Sequence, residues 1–291
     1  MPQRIDVSKT WKLYIGGKFV RSESGQSLPV EHRRHGTTVH LCRASRKDLR
    51  DAVEAATSAL SGWSSASGYL RGQILYRMAE MLECRRAEMS EAIGAGSNQS
   101  PKQRLDEVDA AIDRLVGFAG WADKIEQILG GQNPVPGPYY NITVPEPTGV
   151  VGVFPPDKPS LLGAISMLAA PLCAGNTVIL LAPEAHPLPT TLLAEIIATS
   201  DVPGGVVNIL TGSHVELMGH MADHRAVNAI SAVNLEDEQL TDLRKRAAES
   251  IKRIHHERVT PQSWKKHEER CDPWKVEPFL EMKTLWHPSA C

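Results

Sequence analysis

Five cysteines are the side chains of this 291-residue chain best suited to nucleophilic or metal chemistry: Cys42, Cys84, Cys173, Cys271 and Cys291. They form no C-x-x-C pair and no metal-ligand spacing. Their odd number and wide spacing fit a reduced chain better than a disulfide framework. Cys173 lies among small residues, Pro171-Leu172-Cys173-Ala174-Gly175, where a thiol behaves as an inert small hydrophobe. Cys271 is flanked by Glu269 and Asp272, and neighbouring carboxylates raise a thiol pKa rather than lower it. Cys42, Cys84 and Cys291 have no activating cation nearby in sequence, so none of the five reads as a catalytic nucleophile. His255 and His256 are adjacent, and adjacent residues on a helix point in different directions, so a shared metal is not expected. No Walker loop, H-E-x-x-H or G-x-S-x-G is present.

Composition narrows the classes. Hydrophobic residues make up 42% and charged residues 23%, an ordinary globular balance. The net charge of −2 excludes a strongly basic nucleic-acid binder. The first residues lack the apolar core of a signal peptide. The longest weakly polar run, 160–175, contains Pro171 and is short for a membrane span, so it reads as a buried helix. A cytoplasmic protein without membrane or nucleic-acid partners is expected.

The elements follow from periodicity. Residues 11–20 read as a hairpin around Gly16-Gly17. Ser45 caps a helix whose apolar face is Leu49, Ala52, Val53, Ala56 and Leu60. A second helix is predicted over 69–93 and a third over 101–129, stopped by Gly130-Gly131. Then the pattern changes. Continuous apolar runs at 149–154, 177–181, 206–210 and 226–233 alternate with helix-length segments at 159–174, 188–199 and 214–223. That is the signature of a parallel sheet covered on both faces. Ligands in such sheets sit at the carboxyl ends of the strands, here the loops 154–160, 182–187 and 211–214. No G-x-G-x-x-G follows the first strand; its loop reads Phe154-Pro155-Pro156-Asp157-Lys158-Pro159.

The stretch E-P-T-G-V-V-G-V-F-P-P-D-K-P at 146–159 resembles the aldehyde dehydrogenase superfamily. So do A-G-N-T-V-I-L at 174–180 and P-G-G-V-V-N-I-L-T-G at 203–212, with Y-I-G-G-K-F-V at 14–20 and A-G-W-A-D-K-I at 119–125 upstream. The resemblance runs in order from about Trp11 to Val233. The ending M-K-T-L-W-H-P at 282–288 is similar to the family 16 branch, whose second, C-terminal module lacks catalytic residues.

The resemblance implies a Rossmann-like α/β cofactor domain, NAD as cofactor, and Phe154, Pro155, Glu184 and Gly212 as its contacts. Departures from the family pattern bear on activity. Where the family has P-W-N, whose Asn donates to the oxyanion, this chain has Pro155, Pro156 and Asp157. An ionised Asp only accepts, and losing one oxyanion donor costs about 3 to 4 kcal/mol of transition-state stabilisation. The K-P-S-E loop becomes Leu181-Ala182-Pro183-Glu184, which removes a cation from the ribose and disfavours NADP in particular. The G-x-G turn becomes Gly212-Ser213-His214, and F-T-G-S-T becomes Ala232-Val233-Asn234-Leu235-Glu236. The family's Glu base and nucleophilic Cys follow that last segment inside a catalytic domain. Only 58 residues follow Val233, with no G-Q-x-C, so a catalytic domain is not expected among them.

Residues 236–291 carry 22 charges, 11 of each sign, against 9 charges in 139–233. Leu240, Leu243, Ala247, Ile251 and Ile254 lie on one helical face, predicting a charged helix from 235 to 259 that covers an exposed sheet edge. The basic cluster Arg244-Lys245-Arg246 reads as a solvated face. Residues 139–144 and 281–286 match the family's oligomerisation strands and are expected to pair. The predicted organisation is a hairpin and helices over 1–138, an oligomerisation strand over 139–147, and a Rossmann-like core over 148–233. A charged helical segment over 234–278 and a C-terminal oligomerisation strand over 279–291 complete it. Function is then expected to be a non-catalytic assembly or regulatory module, as a homodimer or bound to a full-length aldehyde dehydrogenase. The alternatives are an NAD-dependent aldehyde oxidoreductase, as a fragment or completed by another chain, and an NAD-binding regulator without turnover.

Overall fold

The computed structural model describes residues 9–32 and 36–289. A seven-stranded sheet runs through its centre. The strands that build it are β2 (Leu13–Ile15), β3 (Lys18–Val20), β8 (Val150–Phe154), β9 (Thr177–Leu181), β10 (Val207–Leu210), β11 (Ala229–Val233) and β12 (Arg253–Glu257). Their order is β12-β11-β8-β9-β10-β2-β3. The five strands from β8 to β12 are parallel, as the continuous apolar runs predict. The expected hairpin forms, and β2 also adds antiparallel to β10 through Tyr14 and Ile209.

Alternate residues of each strand feed two separate cores. Val178 and Leu180 of β9 face one core, which holds α2 (Gly68–Cys84), α3 (Arg86–Gly96), α4 (Pro101–Trp121), α6 (Ser160–Cys173) and α7 (Leu188–Ile197). Ile179 and Leu181 face the other, with α1 (Arg46–Ser64), α8 (His214–Asp223) and α9 (Asp237–Ala248). Helix α1 begins as predicted: Ser45 accepts from the Asp48 amide while Asp48 accepts from the Ser45 amide.

Three predicted elements come out differently. The helix expected over 69–93 is two, broken at Arg85, whose guanidinium pairs with Glu88 at 2.7 Å and with Glu195 of α7 at 2.9 Å. The helix expected over 101–129 ends at Trp121 and resumes only as the short α5 (Ile125–Leu129). The charged helix expected over 235–259 stops at Ala248. Its apolar face is satisfied by Leu240, Leu243 and Ala247, whereas Ile251 is 91% exposed in a left-handed turn with φ 55°. The chain then forms β12, which pairs in parallel with β11 from Ala229 against Arg253 to Val233 against Glu257. The open edge of β11 offers unpaired backbone groups, and that tertiary demand overrides the local helical spacing. The stretch 234–278 is therefore a further helix and strand of the sheet followed by short turns and α10 (His267–Arg270), not one charged helical segment.

Two smaller sheets flank this core. One comprises β1 (Thr10–Trp11), β5 (Thr37–Cys42) and β4 (Ser27–His32), an element the sequence did not announce. The other joins β13 (Leu280–Pro288), β7 (Tyr139–Pro147) and β6 (Gly131–Asn133). The expected pairing forms over nine residues, from Leu280 against Pro147 to Pro288 against Tyr139. Asn176 fixes its root: its amide nitrogen donates to the Phe279 carbonyl at 2.9 Å while its oxygen accepts from the Gly149 amide at 2.8 Å.

Candidate functional site

The carboxyl ends of β8, β9 and β11 and the start of α8 surround a cleft of about 510 Å³. Phe154 enters it from the end of β8, Pro155 and Asp157 from the loop after β8, Glu184 from the loop after β9, and His214 and Met218 from α8. Asn234 and Leu235 follow β11, and Leu243 and Arg246 of α9 close the far side. The fold thus brings Phe154, Pro155, Asp157 and Glu184 together. Gly212 is not among the cleft-lining residues. A Cβ there would lie 2.9 Å from Leu217 Cδ1, the tip of a side chain at the β10–α8 turn, and 3.6 Å from the Ala44 backbone.

Several polar groups of the cleft are bonded within the protein itself, to backbone or to carboxylates. Glu184 Oε2 accepts from the His214 amide at 2.9 Å, capping the positive end of α8. The His214 ring nitrogen Nε2 lies 2.8 Å from the Ala182 carbonyl and so carries the proton there. The same ring meets Phe154 edge-on with centroids 5.6 Å apart. Asp157 Oδ1 accepts from the Ala185 amide at 2.9 Å, linking the first two strand-end loops. Arg246 is held by Asp242 at 2.8 Å and Asp223 at 2.9 Å. At position 181 the cleft presents no cation, because Leu181 is fully buried in the core.

The residues that the resemblance implies for a dinucleotide are present in part: Glu184 is retained, whereas position 181 offers no cation and His214 stands where the family pattern has glycine. A helix N-terminus binds phosphate through free amides and a positive dipole end, and here the first amide of α8 already carries a carboxylate.

No cysteine among the described residues lines the cleft. Cys42, Cys173 and Cys271 are buried and Cys84 is exposed on α2; Cys291 lies outside the described residues. Burial pushes the Cys173 thiol up to about 12 and the Cys271 thiol up to about 11. The two adjacent histidines stand on a strand rather than a helix, and so face opposite ways. His255 lies against Phe279, and His256 Nε2 accepts from the Leu235 amide at 3.1 Å.

One charged cluster was missed. Glu257, at the carboxyl end of β12, is bonded to Arg270 at 2.5 Å, Lys275 at 2.6 Å and His255 at 3.2 Å. Hydrogen bonds from His255, Lys275 and Arg270 hold its carboxyl far below the usual range, against the opposing effect of burial. No pattern in Arg253-Ile254-His255-His256-Glu257 signalled it, because the segment becomes a strand only by pairing with β11.

The five-stranded parallel core, with helices on both faces and a cleft at its carboxyl edge, defines a nucleotide-binding class of α/β fold. Residues 19–258 match the model of the aldehyde dehydrogenase family, which includes α9 and β12. The chain belongs to the aldehyde dehydrogenase family. It is 33% identical to the putative aldehyde dehydrogenase DhaS of Bacillus subtilis over 253 residues, which cover 84% of this chain and 50% of that protein. It is 31% identical to the cytosolic 10-formyltetrahydrofolate dehydrogenase of Mus musculus, over 78% of this chain and 26% of that one. Among solved structures, an NAD+ complex of an aldehyde dehydrogenase from Bacillus cereus superposes with a TM-score of 0.80 at 26% identity, covering 86% of this chain and 51% of that one. The chain spans about half the length of the first of these relatives and of that structure.

Proposed function

We propose that this aldehyde dehydrogenase-family chain does not turn over aldehyde by itself and works by association. The observation that carries this reading is Asp157. It stands where the family's oxyanion donor is expected, its carboxylate is held on the Ala185 amide, and no described cysteine reaches the cleft beside it. A fixed acceptor at that point opposes the negative charge of acyl transfer. The surface that would associate is the β13-β7-β6 sheet. Strand β13 forms its edge, with Leu285 58% and Trp286 60% exposed. An exposed apolar edge strand recruits another strand. The partner proposed is a second copy of this chain or a full-length aldehyde dehydrogenase. The ending at 282–288 supports kinship with the non-catalytic module of the family 16 branch, and free buried cysteines support a cytoplasmic setting.

The decisive assay mixes the purified chain with NAD and a simple aldehyde. Absence of NADH formation and of any burst is expected; turnover overturns the reading. Light scattering tests the second half: a strict monomer that also fails to co-purify with a full-length enzyme removes the association role.

A second reading is an NAD-dependent aldehyde oxidoreductase completed by residues from elsewhere. The fold shared with the Bacillus cereus NAD+ complex favours it. Its signature is NADH formation on mixing with a complementing chain. A third, an NAD-binding regulator, requires NAD binding with no chemistry.

A further inference from the structure

We propose that strand β13 pairs antiparallel with β13 of a second copy of this chain, about a two-fold axis at Thr284, so that two β13-β7-β6 sheets become one continuous sheet. The proposal rests on the association reading above and deepens it by choosing the partner and fixing the register.

The backbone shows which groups of this edge are left over. In an antiparallel pair, residues bonded to the neighbouring strand alternate with residues whose N–H and C=O point away from it. The β7–β13 register continues past both ends of β13. The Thr148 amide donates to the Phe279 carbonyl at 3.1 Å, and the Ser289 amide donates to the Pro138 carbonyl at 2.8 Å. Phe279 and Ser289 are both odd-numbered, so the odd residues of β13 bond to β7 and the even ones turn their backbone outward. Two outward positions are closed: the Leu280 carbonyl accepts from Arg253 Nη1, and Pro288 has no N–H. Met282, Thr284 and Trp286 remain, exposed, with backbone groups unpaired among the described residues.

That remainder is its own complement. With Thr284 opposite Thr284 of the second copy, Met282 falls opposite Trp286, and every free N–H meets a free C=O. Leu280, whose carbonyl is taken, falls opposite Pro288, which has no N–H to offer it. The side chains agree. Each Met282 thioether meets a Trp286 indole. Glu281, paired with Arg253 at 2.8 Å, falls opposite His287, and the Lys283 stem lies along Leu285, so no like charges are directly opposed. Neighbouring registers fail. Centring on Lys283 sets that ammonium against its own copy and Trp286 against the occupied Leu280 carbonyl. Centring on Leu285 sets Lys283 against His287 and Met282 against Pro288. An edge that matches itself end to end is what a two-fold interface requires.

Light scattering of the full chain over a dilution series tests this, and the wild type is expected to be a dimer. Thr284→Pro removes one outward N–H and none of the bonds to β7. It is expected to fold, checked by circular dichroism and a thermal melt, and to dimerise at least about tenfold more weakly. If it does not fold, cross-linking decides. In a Cys84→Ser, Cys291→Ser background, Thr284→Cys sets two thiols opposite each other and is expected to give a disulfide-linked dimer under mild oxidation. Glu281→Cys, which falls opposite His287, is expected to give none. A monomeric wild type overturns the proposal, as does an undiminished dimer of folded Thr284→Pro or equal linking by the two cysteine variants. These failures are separable from failure of the broader reading. A monomer that captures a full-length aldehyde dehydrogenase removes the self-pairing and keeps association, whereas NADH formation by the chain alone removes the non-catalytic reading and leaves the strand pairing untouched.

Discussion

The guanidinium of Arg114, on α4, donates to the backbone carbonyl of Trp264 at 3.0 Å, across 150 residues of sequence. That bond is made by Nη2, and Nη1 donates to Ser166 Oγ at 3.0 Å. Arg114 is almost wholly buried, and burial pulls its pKa down to about 10. This one side chain fastens the segment after β12 onto the helices that cover the sheet. Arg114→Ala leaves a cavity and strips the Trp264 carbonyl and Ser166 of a donor. A loss of about 2 to 4 kcal/mol is expected in urea denaturation. Arg114→Met, which refills the volume, is expected to recover part of it. Equal losses in the two variants would show that the hydrogen bonds, not the volume, set the cost.

Glu257 gives the fold a pH dependence. Its folded pKa is depressed, so its stabilisation is full above the unfolded value near 4.5 and is lost as pH falls below that value. Glu257→Gln is expected to cost about 1 to 3 kcal/mol at neutral pH. The gap between wild type and variant should narrow as thermal melts are taken from pH 6 towards about pH 3. A gap that stays constant through that range would mean the carboxylate is not the group responsible.

Cysteine alkylation should be site-selective. Cys84 is exposed and is expected to label readily in the native protein. Cys173 and Cys271, buried with thiols pushed up to about 12 and about 11, should label only after unfolding. Peptide mapping by mass spectrometry reads this site by site. Native labelling of Cys173 would contradict both its burial and its inert character.

Charge on the exposed edge should disrupt assembly. Leu285→Lys with Trp286→Glu places charges on β13 without touching either core. Self-association, followed by light scattering over a dilution series, is expected to weaken at least about tenfold, or about 1.4 kcal/mol. An unchanged molecular mass would assign the interface to another surface.

The parallel strands were legible because burial on both faces demands continuous apolar runs, as in Thr177–Leu181 and Val150–Phe154. Pairing of β7 with β13 was legible through family motifs rather than through periodicity. Strand β12 was not legible. Arg253-Ile254-His255-His256-Glu257 is charged, and its strand form comes from the edge of β11 rather than from its own residues. Within the cleft, Phe154, Asp157 and Glu184 could be placed because the first ends a strand and the other two lie in the loops that follow strands. What each carboxylate bonds could not be read, since Asp157 meets Ala185 and Glu184 meets His214 through loops that are close in space and about thirty residues apart in sequence. The break at Arg85 depends likewise on Glu195, which belongs to a different helix.

The pairing of β7 with β13 also sets an order of assembly. Strand β7 and its long partner β13 are separated in sequence by all the parallel strands of the central sheet. During synthesis β7 has only the three-residue β6 to lean on, while the sheet behind it already has its strands. Contacts that wait on such distant partners form slowly. Until residues 280–288 leave the ribosome, the exposed Tyr139, Tyr140 and Ile142 stand beside an open edge. The nascent chain is then most dependent on a chaperone, or on a neighbouring copy, in the interval before β13 emerges.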